Sequence, residues 1–216
     1  MRGDSIIIEP HHRKAAAGIL SLLKPVLAAR HDRYAVSIAG QSGSGKSETA
    51  AALQQVLGQH RIESMVLQQD DYFIHPPRTN DRTRRADITW VGPQEVHLAL
   101  MDSHVGAFLD GADEVVKPLV DYEADAVGSE TLEVGHARVM IAEGTYTTLL
   151  ARCQTHVFID RTHLQTHEHR QKRMRHAAEL DPFIDRVLEI EHGIISAHKA
   201  RADIVIDSDY TAVPAG

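Results

Sequence analysis

Three groups of residues have the types and spacing to do chemistry. The first is Gly40-Gln41-Ser42-Gly43-Ser44-Gly45-Lys46-Ser47, which meets every fixed position of G-x-x-x-x-G-K-[ST]. Glycines at these positions let backbone N–H groups converge on an anion, and a helix starting there adds its partial positive charge. Lys46 then reaches the terminal phosphates of a nucleotide, and the Ser47 hydroxyl is offered to Mg²⁺. Gly40, Ser42, Gly43, Ser44, Gly45, Lys46, Ser47 and Glu48 are therefore the candidate nucleotide-binding residues.

The second group is carboxylates. Transfer of a phosphoryl group needs one beside the phosphate loop, to orient and deprotonate the attacking hydroxyl. Asp70 and Asp71 close one apolar run, Ile62 to Leu67, and Glu143 closes another, Arg138 to Ala142. Asp70 is the candidate base, with Asp71 as the competing choice, and Glu143 is a candidate for holding Mg²⁺ together with Ser47.

Cations form the third group. Arg78, Arg82, Arg84 and Arg85 stand against the lone acid Asp81 in one segment, which suits the grip of an anionic acceptor. Arg170, Lys172, Arg173 and Arg175 form a second segment without an acid, with Arg170 and Arg173 on one helical face as candidate lid residues over the transferring phosphoryl group. His163, His167 and His169 lie close together, but nothing nearby completes a metal site, and Cys153 is read as a buried apolar residue.

Elements that would position these groups alternate between strand and helix. Tyr34 to Ala39 is a β-prone run ending in the glycine loop, with a helix following to about Leu57. Further strands are expected at Ile62 to Leu67, Arg138 to Ala142, Thr155 to Ile159 and Ala202 to Ile206. Helices are expected from Gly92-Pro93 to Leu109, from His163 to Ala178, and from Asp181-Pro182 to Lys199. Val115 to Val120 pairs with Thr131 to Val134 as a hairpin, and Pro76 to Asp87 reads as a long loop. Ahead of all this, Ile6 to Ile8 reads as a strand and His11 to Ala29 as a helix that Pro25 kinks or restarts. Lys24 and Pro25 interrupt the apolar run of that segment, which argues against a secretory signal. This alternation means an α/β fold with a parallel sheet.

Composition narrows the partners. At 216 residues the chain suits one sizeable domain, and its net charge of −7 disfavours nucleic acid, whose binding needs surplus cations. No run approaches the ~20 apolar residues of a membrane helix. A single cysteine, Cys153, and no glycosylation sequon at the only asparagine, Asn80, point to a cytoplasmic protein. Asn80 also does not open an N-K-x-D element, so guanine-specific switching is excluded.

The order of these features resembles the uridine kinase and phosphoribulokinase family of P-loop kinases, from Tyr34 to about Asp207. Besides the phosphate loop, Gln69-Asp70-Asp71-Tyr72-Phe73 is similar to the family's Q-D-S-F-Y, and Lys117-Pro118-Leu119-Val120-Asp121-Tyr122 to its P-x-Y-D stretch. Ile141-Ala142-Glu143-Gly144 is similar to its strand ending in E-G, and Ala202-Asp203-Ile204-Val205-Ile206 to its closing strand. The resemblance implies that Asp70 is the catalytic base, that Lys46, Ser47 and Glu143 serve the phosphates and Mg²⁺, and that Arg170 to Arg175 is the lid. Trp90-Val91-Gly92-Pro93 departs from the F-D-H-P run of uridine kinases, and Asp125 and Val127 replace their uracil-recognising His and Arg.

The resulting expectation is a P-loop NTPase fold with a doubly wound five-stranded parallel sheet, a hairpin insertion and a lid. An N-terminal extension (1–32) precedes a kinase domain (33–210) and a tail (211–216). The expected activity is ATP-dependent, Mg²⁺-assisted phosphorylation of a small-molecule hydroxyl, with an anionic acceptor favoured over uridine. Asp70, Tyr72, Phe73, Arg78, Arg82, Arg84 and Tyr122 are the candidate acceptor-binding residues, and Asp70, Lys46, Arg170 and Arg173 the candidate catalytic ones. A uridine or nicotinamide riboside kinase is the nearer alternative, and a regulatory or toxin-like nucleotide-binding protein the more distant one. ATP and the acceptor are the expected partners, without nucleic acid or membrane, and a homodimer is compatible with the sequence.

Overall fold

The computed structural model describes residues 6–161 and 181–215. Its centre is β1 (Tyr34–Gly40), buried at every position, as a Val/Ile/Ala-rich strand covered on both faces must be. Alternate side chains serve the two faces: Tyr34, Val36 and Ile38 join one core cluster and Ala35 joins the other. α2 (Lys46–Gln59) follows the glycine loop, and β2 (Ser64–Gln68) follows α2. After α3 (Pro77–Ala86) and α4 (Leu98–Leu109) come the hairpin strands β3 (Glu114–Asp121) and β4 (Ala126–Glu133), then β5 (Val139–Glu143) and β6 (Thr155–Ile159). The chain ends with α5 (Pro182–Ile195), β7 (Ile204–Ile206) and β8 (Ala212–Pro214).

The main sheet runs β2-β5-β1-β6-β7-β8. Its first five strands are parallel, as expected, and β8 pairs antiparallel with β7, so residues 212–214 extend the sheet where a tail was expected. In-register pairing of Ile38 with Glu143, and of Gln68 with Glu143, brings the carboxyl ends of β1, β2 and β5 to one edge. That edge is where an open parallel sheet binds its ligands.

Ile6 to Ile8 does not form the expected strand, and Ile6 and Ile7 lie exposed. The first ordered element is instead α1 (Pro10–Ala29), started by Pro10 at its first turn and continuing past Pro25 without a break in the assignment. Its Ala15, Ala16, Ile19, Leu20, Leu23 and Leu27 are buried in the cluster that holds Leu53 and Leu57 of α2 and Val36 and Ile38 of β1. Each leucine or isoleucine so buried contributes about 1.5–3 kcal/mol, which is why the helix persists around its proline.

The largest departure from expectation is α3, read from the sequence as loop. Its residues lack apolar periodicity, and only Asn80 among them is buried. Pro77 starts the helix, and its amides are capped from a distance: Asp125, at the β3–β4 turn, accepts from the N–H of Arg78 at 2.7 Å and of Thr79 at 3.4 Å. A cap supplied 47 residues away leaves no local signature. Likewise Pro93 opens only a short 3-10 turn, Pro93–Glu95, before α4 begins at Leu98. The hairpin is longer than expected, with pairing that runs from Glu114–Glu133 to Asp121–Ala126. α5 begins as expected, with Asp181 accepting from Phe183 N–H at 2.9 Å, and gives way to a 3-10 segment, Ser196–Arg201. Among the described residues no helix is long and apolar enough to cross a membrane.

Candidate functional site

The phosphate loop lies between β1 and α2, where its sequence placed it. Gly45 has φ +90°, and a Cβ there would meet His12 Nε2 of α1 at 2.8 Å, so backbone sign and close packing both require glycine. Loop side chains are tied to α5: Gln41 Nε2 donates to the Leu188 carbonyl at 3.0 Å and Ser42 Oγ to Glu191 Oε2 at 3.0 Å. Lys46 Nζ donates to the Gln41 carbonyl at 3.1 Å, curling back over the loop it follows.

Glu143, at the end of β5, is buried and accepts hydrogen bonds from Ser47 Oγ at 3.0 Å and Gln68 Nε2 at 3.4 Å. Burial and the nearby Asp70 push its carboxyl up to about 7, against the pull of Lys46. A hydroxyl and a carboxylate side by side are the hard oxygen donors Mg²⁺ takes, so Ser47 and Glu143 fit the ion. Gly144 follows because its position is filled: a Cβ there would lie 2.2 Å from Gln69 Cβ, and Gln69 Oε1 accepts from Tyr146 N–H at 2.7 Å.

Asp70 and Asp71 sit on one 3-10 turn, Gln69–Tyr72, and part company. Asp71 is buried and held by Lys117 Nζ at 2.7 Å and Val120 N–H at 3.1 Å, which ties the turn to β3. Lys117 also meets Glu130 at 2.7 Å. Asp70 faces a cavity of about 310 Å³ that Ser42 of the phosphate loop also lines. Its side chain keeps access to solvent within this crowded cleft, where reduced hydration raises its pKa, with Lys46 pulling it back.

That cavity brings together Asp70, Phe73, Arg84 and Tyr122 among the expected acceptor residues. Tyr72 is fully buried instead, its hydroxyl 2.8 Å from His104 Nδ1. Arg78 donates to the Glu123 carbonyl, and Arg82 is exposed near Asp125 at 3.7 Å; neither lines the cavity. Arg85 bridges Asp81 at 2.8 Å and Asp181 at 2.7 Å. Arg84 alone turns inward, and there it meets Glu95 at 2.6 Å and Glu191 at 3.5 Å. The expected grip on an anion is therefore not assembled, because each arginine has its own local acceptor. Arg170 and Arg173, with the rest of the basic segment and His163, His167 and His169, lie outside the described residues. Cys153 is buried, and burial pushes its thiol pKa up.

Glu95, Asn80, Tyr146 and Glu191 were not among the expected site residues. Glu95 is fully buried and accepts from Gly92 N–H at 2.7 Å, Asn80 Nδ2 at 2.6 Å and Arg84 Nε. Asn80 Oδ1 in turn accepts from Trp90 Nε1 at 2.9 Å. A Glu three residues after Gly92, at the capping-box position of the Gly-Pro start, was the available signal for Glu95; Glu191 had none, lying on a helix among other charges.

The sequence matches the phosphoribulokinase / uridine kinase family over residues 35–162. It is 27% identical over 190 residues to the bifunctional alpha-galactosidase/sucrose kinase of Mediterraneibacter gnavus, covering 82% of this chain and 20% of that protein. It is 30% identical over 131 residues to the uridine kinase of Mycoplasma pneumoniae, covering 59% of this chain and 60% of that one. The chain thus spans only a fifth and three fifths of these two curated relatives. Its fold is that of a structure described as a possible uridine kinase from Bacillus stearothermophilus, with TM-score 0.60 and 21% identity over 88% of this chain and 97% of the other. With the match covering more than half of its length, the chain belongs to the phosphoribulokinase / uridine kinase family.

Proposed function

We propose that the protein is an ATP-dependent kinase that phosphorylates a hydroxyl of a small molecule. The observation that carries this reading is that one cavity is walled by the phosphate loop, through Ser42, and by the Asp70 carboxylate. A hydroxyl held there stands between a general base and the terminal phosphate of a nucleotide on the loop. The backbone of residues 40–47 and Lys46 hold the phosphates, and Asp70 takes the acceptor's proton as its oxygen attacks the γ-phosphorus. The bond between that phosphorus and the bridging oxygen breaks, and ADP leaves. Mg²⁺, when bound at Ser47 and Glu143, neutralises charge on the phosphate oxygens. Asp71 holds the turn that carries the base, since Lys117 and the Val120 amide occupy both its oxygens.

The names of the relatives support a kinase with a small-molecule acceptor and point to different acceptors, one a nucleoside and one a sugar. A single buried cysteine is in keeping with a cytoplasmic setting. The test is ADP formation from Mg·ATP with and without a pool of cellular metabolites. A kinase is nearly silent alone and responds to the pool; full ATP hydrolysis without any acceptor overturns this reading in favour of a nucleotide-driven regulatory protein.

A further inference from the structure

Among the described residues, the acceptor cavity is short of positive charge. Its lining sets three carboxylates, Asp70, Asp81 and Glu191, against Arg84 and one imidazole, His75, and Arg84 is already shared between Glu191 and the fully buried Glu95 behind it. An anionic group entering there would meet carboxylates whose counter-charge is engaged, a like-charge contact made costly by the low polarisability of the surroundings. A neutral hydroxyl, by contrast, can donate to Glu191, which among the described residues holds Ser42 Oγ on Oε2 and the more distant Arg84 on Oε1.

A second observation points to the same kind of ligand. Tyr146 lines this cavity and is 1% exposed, and its buried hydroxyl finds no hydrogen-bond partner among the described residues. A buried hydroxyl without a partner is rare in native proteins, because its lost hydration goes uncompensated. Phe73 and Tyr122 add aromatic faces to the wall, suited to the apolar C–H faces of a ring or chain of carbinols.

We infer that the acceptor is an uncharged, hydroxyl-rich, sugar-like molecule, and that Glu191 and Tyr146 select it by hydrogen bonds to hydroxyls other than the one phosphorylated. This rests on the kinase reading above. Uncharged hydroxyls satisfy the Glu191 carboxylate and the Tyr146 hydroxyl without adding charge, and an acceptor already bearing phosphate or carboxylate does not.

The experiment separates a metabolite pool by ion exchange into neutral and anionic fractions and measures ADP formation by the full chain with Mg·ATP. The expected result is a rate at least tenfold higher with the neutral fraction, not reproduced by uridine or cytidine alone. Activity confined to the anionic fraction, or wholly accounted for by either nucleoside, overturns the inference while the kinase reading stands. Silence with both fractions from a protein that still binds ATP overturns the kinase reading and this one with it. With the active neutral acceptor isolated, Tyr146→Phe, which removes one atom and preserves packing, is expected to raise its KM about tenfold with ATP KM within twofold. Glu191→Gln is expected to raise it by about tenfold or more, the larger effect of losing a charged acceptor. An unchanged acceptor KM in both variants overturns the assignment of these residues.

Discussion

The nucleotide side and the acceptor side of the cavity are built on different principles. On the nucleotide side one continuous stretch, residues 40–47, is the proposed phosphate-binding apparatus, and the groups it offers are largely backbone amides whose direction local conformation sets. The acceptor side is drawn from the turn at Asp70, from α3, from the end of β3 and from α5. Its working groups are side chains whose charge state and availability depend on which partner each one meets. A motif therefore locates the first side, whereas the chemistry of the second is set by pairing: four arginines close together in sequence end with four different sets of partners.

The largest effects should come from the junction of the two sides. Asp70→Asn is expected to lower acceptor-dependent turnover by about 10²–10⁴, the range for loss of a general base, with ATP affinity unchanged within about twofold. Lys46→Ala should abolish transfer and weaken ATP binding as well. Nucleotide titration beside turnover separates the two, and a base variant turning over at the parent rate would remove Asp70 from its role.

Next is the contrast between neighbouring arginines. Arg84→Ala leaves Glu95 and Glu191 without their shared cation, and breaking such a buried pair costs about 3–5 kcal/mol. Arg82→Ala removes an exposed, long contact to Asp125 and should cost less than about 1 kcal/mol. Urea unfolding of both variants measures the difference, and equal losses would refute the claim that the cavity wall rests on Arg84.

The smallest expected effect is in the pH dependence of stability. Burial holds His104, His156 and His198 below the ordinary imidazole value. Their folded forms bind fewer protons than the unfolded chain, so the stability they contribute is lost as pH falls from about 6.5 toward their folded values. Glu191 has the opposite sign: burial raises its pKa, so the folded chain takes up its proton first and gains stability as pH falls toward the unfolded value. Melting temperatures between pH 7 and pH 5 should therefore fall more steeply in Glu191→Gln than in the parent, and less steeply in His156→Gln. The reverse order would show that burial does not govern these groups.

Chemistry that depends on local backbone is legible without the structure. The glycine loop, the strand that leads into the Asp70 turn, the strand that ends at Glu143, and the parallel sheet follow from residue spacing and alternation, because backbone sterics and strand periodicity act over a few residues. The Asp-Pro start of α5 is legible for the same reason. α3 was not, since its cap is Asp125 on the far hairpin, nor was β8, a three-residue edge strand defined only by the neighbour it joins. The different surroundings of Asp70 and Asp71 also lay beyond local pattern: Lys117, 46 residues from Asp71, bonds that carboxylate, while Asp70 faces the cavity. Glu191 meets the phosphate loop and Arg84 across still longer separations, and ion pairs of that kind form wherever folding brings opposite charges together. Sequence determined where the glycine loop would lie; tertiary structure alone decided which charges stand beside it, because charges act through space and not along the chain.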